Sequence, residues 1–235
     1  MPGPRTYGDP CGVARSLDVA GERWSLLIVR ELLLGAKRFS DLLGGLAGAS
    51  PNVISQRLRD LVAHGVVHRR KLGPPARIHL YELTDWGREL EPVVLHLGRW
   101  GAKAPLPEGG TLSVDSLVLS LKAMFDPAQA RKARATFELR IDDEVFVLEL
   151  ADGTLRAQRS TASSPDATIT ADRSALMAAL LGRRSLDDLH RANDLVITGT
   201  PRGRALATTA LLAPAIPARN ERTVGDHTTA AVGVG

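Results

Sequence analysis

The sequence predicts an α+β protein in two domains: a mainly helical first domain and a second domain built on a mostly antiparallel sheet. The chain has 235 residues, enough to bury two separate cores. The first part shows helical periodicity and excess positive charge, since residues 1–105 hold 15 Lys and Arg against 10 Asp and Glu. A Pro- and Gly-rich segment follows at 102–111, and alternating apolar residues begin after it. We therefore expect domains at 1–104 and 112–214, and a disordered tail at 215–235.

The stretch at 37–83 predicts a helix, a turn, a second helix and a two-stranded ribbon. Ser50 and Pro51 suit the start of the second helix, because Ser caps a free N–H and Pro lacks the N–H that would go unpaired. A Gly-Pro-Pro turn at 73–75 separates the two strands. The apolar stripe predicted to be buried is Ile54, Leu58, Leu61 and Val62. This order of elements is that of a winged helix-turn-helix.

The opposite side of the second helix and the ribbon carry the residue types that contact nucleic acid. Amide and hydroxyl side chains read base edges, and Arg and Lys neutralise phosphates. Six basic residues stand against a single acid, Asp60, between positions 57 and 77, so positive charge is concentrated there. The residues predicted to contact double-stranded DNA are Asn52, Ser55, Gln56, Arg57, Arg59, Arg69, Arg70, Lys71 and Arg77.

Several stretches in combination resemble one protein family: GERWSLLIVRELLLG, RFSDL, ISQRLRDL and LTDWG. Together with a Cys near the start, they make residues 8–102 similar to HxlR-type winged helix-turn-helix regulators. The resemblance implies a dimeric, DNA-binding transcriptional regulator of bacteria or archaea, and repressors are common among such regulators.

Cys11 is the candidate redox residue, since some members of this family sense oxidants or electrophiles through the corresponding Cys. Those members usually read Cys-Pro, whereas this chain reads Cys11-Gly12. A thiol reacts as its thiolate, and the nearest basic side chain in sequence is Arg15, one helical turn later. A redox-responsive regulator is therefore an alternative function, and a small semi-buried structural thiol is the other interpretation of Cys11.

The helix predicted after the ribbon carries a wide apolar stripe that needs a partner. Its members are Leu90, Val93, Val94, Leu97 and Trp100. A second copy of the chain is the expected partner, with the helix predicted at 11–20 joining in, because a two-fold DNA site needs a two-fold protein. The alternative is that the stripe packs on its own domain.

The region after the linker resembles a second family, through FELRIDDEVFVLELADG, SPDATITADRSALMAALLG and DLVITGTPRGRALATTALL. Residues 114–214 are similar to the sterol carrier protein type 2 fold, which implies an apolar small molecule held between the sheet and the C-terminal helices. Helices are also expected at 112–122 and 127–135. The residues expected to line the ligand site are Met124, Phe125, Phe137, Phe146, Leu176, Met177, Leu180 and Leu211. Ordinary core packing is the alternative for each, and a lipid-handling carrier without DNA specificity is the alternative function.

Other function classes lack their motifs. The sequence contains no Walker loop, no dinucleotide-binding GxGxxG, no nucleophile elbow and no HExxH, so we expect neither an enzyme nor a cofactor. The six His residues do not cluster with acids at ligand spacing, so no metal site is expected. A single Cys, the lack of a secretory start and the lack of a bilayer-length apolar run predict a cytoplasmic protein without membrane contact.

Overall fold

A computed structural model of the chain describes residues 6–73, 78–107, 109–130 and 133–212. The tail predicted at 215–235 lies outside these residues. The predicted α+β class is confirmed, with a winged helix-turn-helix first and a sheet with surrounding helices second. The elements of the first part are α1 (Gly12–Ala20), α2 (Ser25–Leu32), α3 (Phe39–Gly45), α4 (Pro51–Ala63), β1 (Val67–Lys71), β2 (His79–Leu83), α5 (Asp85–Arg88) and α6 (Glu91–Gly101).

The core of the first part lies between α4 and α2. Ile54, Leu58 and Leu61 are buried in one hydrophobic cluster with Ile28 of α2. The prediction was wrong at Val62, which is 39% exposed. Successive helical residues point about 100° apart, so Val62, which follows the buried Leu61, lies at the edge of the narrow apolar stripe of α4. The face of α4 that remains in solvent is therefore wider than predicted.

The ribbon consists of β1 and β2, which pair antiparallel with Val67 opposite Leu83 and Lys71 opposite His79. A single backbone bridge extends it on the outer side of β2. Lys37 donates its N–H to the carbonyl of Tyr81 at 3.0 Å, and Tyr81 returns the bond to Lys37 at 2.8 Å. The segment between α2 and α3 thus holds the ribbon against the helices.

The second part wraps helices around one mixed sheet. Its elements are α7 (Val114–Met124), α8 (Pro127–Ala130), β3 (Ala135–Ile141), β4 (Glu144–Ala151), β5 (Thr154–Gln158), β6 (Ala167–Ala171), α9 (Arg173–Leu180), α10 (Leu186–Arg191), β7 (Leu195–Gly199) and α11 (Pro201–Leu206). The strand order is β5-β4-β3-β6-β7, and every neighbouring pair is antiparallel except β3 and β6. A π-helical turn, Ala207–Leu212, continues α11.

Two predicted helix boundaries in the second part need correction. The helix expected at 127–135 is the single turn α8, and Ala135 already begins β3. Tertiary pairing overrides helical propensity here, because Ala135 is held opposite Leu150 of β4. The helix expected at 112–122 is α7, which Ser113 caps by accepting the N–H of Ser116 at 3.0 Å.

The two parts are packed against each other through α6 and α7. Arg99 of α6 donates to the carbonyl of Ala123 at 2.7 Å, and Lys122 of α7 forms an ion pair with Glu91. Leu34, which follows α2, is buried in the hydrophobic cluster of the second part. The linker therefore connects two cores that touch, and residues of both parts enclose the space between them.

Candidate functional site

The polar face of α4 is presented to solvent by the burial of its apolar stripe. Ser50 caps the helix as predicted, accepting the N–H of Val53 at 3.4 Å. Asn52 and Gln56 are exposed, as is Arg59. Ser55 and Arg57 are half-buried on the flanks. The five residues predicted on this helix thus lie on one continuous surface.

Hydrogen bonds join the side chains of this surface to one another. Arg59 donates to Ser55 Oγ at 2.9 Å and to Gln56 Oε1 at 2.6 Å. Gln56 in turn donates to Asp60 Oδ1 at 2.7 Å, and Arg57 donates to Asp60 Oδ2 at 2.9 Å. The acid that lowers the local positive charge also fixes the orientation of the amide. These side chains therefore hold one another in place in the free protein.

The ribbon supplies a second basic surface. Arg69, Arg70 and Lys71 are exposed in β1. The Arg69 guanidinium lies 6.0 Å from the centre of the Tyr81 ring, and Arg70 lies 3.4 Å from a carboxylate oxygen of Glu82. Register places His68 opposite Glu82 and His79 opposite Lys71, so the two His residues do not face each other.

Arg77, the remaining residue predicted to contact DNA, lies outside the described residues.

A cluster of charged and polar side chains around two buried carboxylates, which sequence reasoning missed, lies where the two parts meet. We call it the junction cluster: Arg30, Glu31, Lys37, Ser113, Asp115 and Arg159. Glu31 has no exposed surface, and its carboxylate accepts from Lys37 Nζ at 2.8 Å and from Ser113 Oγ at 2.6 Å. Arg30 also donates to Glu31, from Nη2 at 2.9 Å. The sequence did contain one sign of this cluster. Glu31 lies within the apolar run of α2, three residues after the buried Ile28 and therefore on the same side of the helix.

The other end of the junction cluster belongs to the second part. Lys37 Nζ contacts Asp115 Oδ2 at 2.6 Å, and Arg159 Nη2 lies 3.1 Å from both oxygens of Asp115. Arg159 also pairs with Glu144 and lies over the ring of Phe146, 4.6 Å from its centre. The buried charges are therefore paired in a chain that runs from α2 to the sheet.

The surroundings of Glu31 keep its carboxyl ionised. Burial alone raises the pKa of Glu31, but the charge and hydrogen bond of Lys37 lower it. Ser113 and Arg30 add to that effect, and the pKa of Glu31 ends below its ordinary value. The carboxylate is therefore a permanent negative centre that holds two cations at neutral pH.

Cys11 stands at the N-terminal end of α1 with an exposed thiol. The backbone N–H groups of Val13 and Ala14 lower the pKa of this thiol, as helix N-termini do. The expectation of a semi-buried thiol is wrong, because Cys11 is exposed, and its redox role stays a prediction.

An apolar cavity of about 400 Å³ opens beside the junction cluster, between α2, α6 and α7. Met124 is the residue of the predicted ligand set that lines it. The others belong to the hydrophobic cluster of the second part or pack against it: Phe125, Phe137, Phe146, Leu176, Met177, Leu180 and Leu211. Binding a ligand among these seven would require the sheet and the helices to separate, so that assignment stays a prediction.

Two further observations bear on function. Within the described ranges, no three His, Cys, Asp or Glu side chains come together as metal ligands would. No helix in the same ranges has the length and apolar character to cross a bilayer.

Two family models match the chain. A model described as HxlR-like helix-turn-helix matches residues 19–107, and a model described as alkyl sulfatase C-terminal matches residues 110–214. The first agrees with the resemblance found in the sequence. The second carries a different description from the sterol carrier resemblance, which therefore stays a prediction.

Curated relatives align with the first part of the chain. An HTH-type transcriptional regulator of Mycobacterium tuberculosis is 41% identical over 98 residues, which are 41% of this chain and 61% of the relative. YvaP, an HTH-type transcriptional regulator of Bacillus subtilis, is 38% identical over 90 residues, which are 38% of this chain and 82% of YvaP. The chain thus spans less than two thirds of the mycobacterial relative and most of YvaP.

Solved structures align with a similar share of the chain. The redox regulator HypR in its oxidized form is 32% identical with a TM-score of 0.39, covering 41% of this chain and 100% of HypR. The reduced form of the transcriptional regulator YodB from B. subtilis is 27% identical with a TM-score of 0.37, covering 42% of this chain and 98% of YodB. Both TM-scores lie below 0.5, so neither structure assigns a function to this chain.

Proposed function

Because the chain belongs to the HxlR-like helix-turn-helix transcriptional regulators, we propose that it binds double-stranded DNA sequence-specifically and acts in the cytoplasm as a homodimeric repressor. An apolar small molecule controls its affinity for DNA. The observation that carries this proposal is the exposed polar face of α4 beside a basic ribbon. Such a pairing provides both base contacts and phosphate contacts.

The chemistry of the side chains predicts which of them contact bases and which contact phosphates. α4 has 13 residues, about 20 Å of helix, and enters the major groove with Asn52, Gln56 and Arg59 toward base edges. Arg57 and the ribbon cations contact phosphates, because they lie at the edge of α4 and along β1. The cations also supply the salt-dependent part of the affinity.

Exposed apolar side chains support the homodimer. Val93, Leu97 and Trp100 of α6 are 46%, 46% and 75% exposed, and they share one face at i, i+4 and i+7. Val13 and Leu17 of α1 are also exposed, at 67% and 42%. Five exposed apolar side chains on two helices are typical of a protein interface. A two-fold pair formed here presents two copies of α4 to the two half-sites of an operator.

The experiment is a salt titration of DNA binding with a duplex selected from a random library and a scrambled duplex of equal composition. We expect Lys71→Ala to weaken binding to both duplexes alike and to reduce the salt slope by about one for each phosphate that Lys71 neutralises. Gln56→Ala should instead lower the discrimination between the duplexes, by roughly 1 to 3 kcal/mol. Equal losses of affinity on both duplexes for both variants would refute the assignment of roles. Failure of the selection to enrich any sequence would favour a carrier without DNA specificity.

A second candidate function is redox control through Cys11. It is favoured by the exposure of the thiol and by its lowered pKa, which raises the thiolate fraction at neutral pH. Treatment with hydrogen peroxide should then change the DNA affinity of the unmodified chain and leave Cys11→Ser unaffected. A Cys11→Ser protein that responds as fully as the unmodified chain excludes this function.

A further inference from the structure

The apolar cavity between α2, α6 and α7, which we call the junction cavity, has a volume suited to a small molecule. Its volume of about 400 Å³ lies within the range of about 300 to 1,000 Å³ that small-molecule sites occupy. The walls are mostly apolar and include Leu119 and Met124 of α7 and Leu95 of α6. Leu27 and Leu97, which are 38% and 46% exposed, also line it. The cavity is therefore reachable from solvent in the single chain, and Leu119 of its wall also belongs to the hydrophobic core of the second part.

One charged hydrogen-bond donor lies in this apolar wall. Arg30 lines the cavity with its side chain 22% exposed, and its Nε and Nη2 donate to Glu31 at 3.2 and 2.9 Å. The Ser120 hydroxyl, also at the wall, donates to the carbonyl of Ser116 at 2.7 Å. Arg30 is thus the group best placed to recognise an acceptor on a ligand, and its planar guanidinium matches a carboxylate.

We propose that the junction cavity binds an apolar carboxylate, with the hydrocarbon among the leucines of α6 and α7 and the carboxylate on Arg30. This rests on the proposed function, because it identifies the effector site of the regulator. The site differs from the one expected between the sheet and the C-terminal helices.

A ligand on Arg30 affects the DNA-binding surface through Glu31. A carboxylate that accepts from Arg30 competes with Glu31 for the same guanidinium, and Glu31 then depends more strongly on Lys37 and Ser113. The Lys37 backbone is paired with Tyr81 of β2. The ligand therefore changes the ion pair between Glu31 and Lys37, and the backbone of Lys37 is hydrogen-bonded to the ribbon.

The test is calorimetric titration of the full chain with octanoate and, separately, with octan-1-ol. The variant Gly98→Met closes the cavity, since a Cβ at Gly98 would lie 3.7 Å from Ala123 Cβ and a longer side chain extends past it. Gly101→Met is the matched control, because it makes the same substitution in α6 where a Cβ meets nothing within 4 Å. Arg30→Met tests the head group.

We expect octanoate to bind the unmodified chain and Gly101→Met with equal affinity, and Gly98→Met at least tenfold more weakly. Octan-1-ol should bind the unmodified chain more weakly than octanoate, and Arg30→Met should remove that preference. Absence of octanoate binding at millimolar concentration overturns the proposal, as does equal affinity in Gly98→Met.

A change in dimerisation of Gly98→Met without a change in octanoate affinity would mean that a second copy, and not a ligand, covers this surface. DNA binding without octanoate is measured on all four proteins. An unmodified chain that binds no DNA refutes the proposed function and leaves the cavity result to stand on its own.

Discussion

Lys37 Nζ lies 2.6 Å from Asp115 Oδ2, so one ion pair ties the segment that holds the ribbon to the first helix of the second part. The same Nζ lies 2.8 Å from Glu31. Both carboxylates are buried, with side-chain exposures of 3% and 0%, and Lys37 itself is 13% exposed. A single ammonium group therefore contacts two buried acids from different parts of the chain, and Arg30 and Arg159 supply further positive charge to them.

Replacing Lys37 by Met should strongly destabilise the protein. The substitution leaves two buried carboxylates without this cation, and removing one partner of a buried pair costs about 3 to 5 kcal/mol. Urea denaturation gives the free energy of unfolding. Arg184→Met is the control, because Arg184 and Asp194 form an exposed pair with side-chain exposures of 41% and 37%. Such pairs contribute about 1 kcal/mol or less, and equal destabilisation by the two substitutions would contradict a structural role of the junction cluster.

The stability contributed by Glu31 should depend on pH. Its pKa in the folded protein is lowered, so folding favours the ionised form. The stabilisation is fully present above the ordinary pKa of 4.5 and is lost as pH falls through the lower folded pKa. We expect Glu31→Gln to be less stable than the unmodified chain at pH 6 and to lose less of its stability between about pH 4.5 and pH 3.

Urea denaturation at a series of pH values measures this difference. Other carboxyls with lowered pKa, such as Asp172, leave a residual slope in both proteins. Glu149→Gln, at an exposed position of β4, is the control. Parallel stability curves for Glu31→Gln and the unmodified chain would contradict the prediction.

Substitutions of Asp60 should separate charge from orientation in DNA binding. Asp60→Asn keeps an acceptor for Gln56 and removes a negative charge, so we expect tighter binding to every duplex. Asp60→Ala also removes the acceptor that holds Gln56 at 2.7 Å. Discrimination between the selected and scrambled duplexes should then fall by about 1 kcal/mol in the Ala variant alone. Fluorescence anisotropy measures both quantities, and identical discrimination in the two variants would show that Asp60 does not orient Gln56.

A charge at Trp100 should weaken the dimer. Trp100 is 75% exposed at one end of the apolar face of α6, and buried Trp residues at interfaces often contribute about 2 kcal/mol or more. Trp100→Glu should therefore raise the dimer dissociation constant at least tenfold in analytical ultracentrifugation. Trp86→Glu is the control, since Trp86 is also exposed, at 51%, but belongs to α5 and not to α6. Equal effects of the two substitutions would place the interface elsewhere.

Patterns among residues close in sequence predicted the cap and the buried side of α4, but they did not predict the junction cluster. The Ser50 cap and the buried phase of Ile54, Leu58 and Leu61 depend on residues within four positions of one another, so the sequence displays them directly. Lys37 and Asp115 are 78 positions apart. No periodicity within either part indicates that pairing.

The junction cavity escaped prediction for a related reason. The expected ligand site was placed within the second part alone, and Met124 is its only residue at the wall of the cavity. The cavity is built from α2 and α6 of the first part and α7 of the second. Its position depends on the packing of the two parts, which the composition of the linker does not specify.

Gly45 should be required for the burial of Glu31. A Cβ at this last residue of α3 would overlap the Glu31 carboxylate, whereas a Cβ at the neighbouring Gly44 meets nothing within 4 Å. Gly45→Ala should therefore displace the carboxylate from Lys37 and cost about 2 kcal/mol, as disrupted buried polar contacts do. Gly44→Ala should be neutral or stabilise the protein by up to about 1 kcal/mol, because Ala favours the helix. Urea denaturation of the two variants measures their free energies of unfolding. Equal stability would mean that Glu31 has room to move, and the link from the junction cluster to α3 would then be weak.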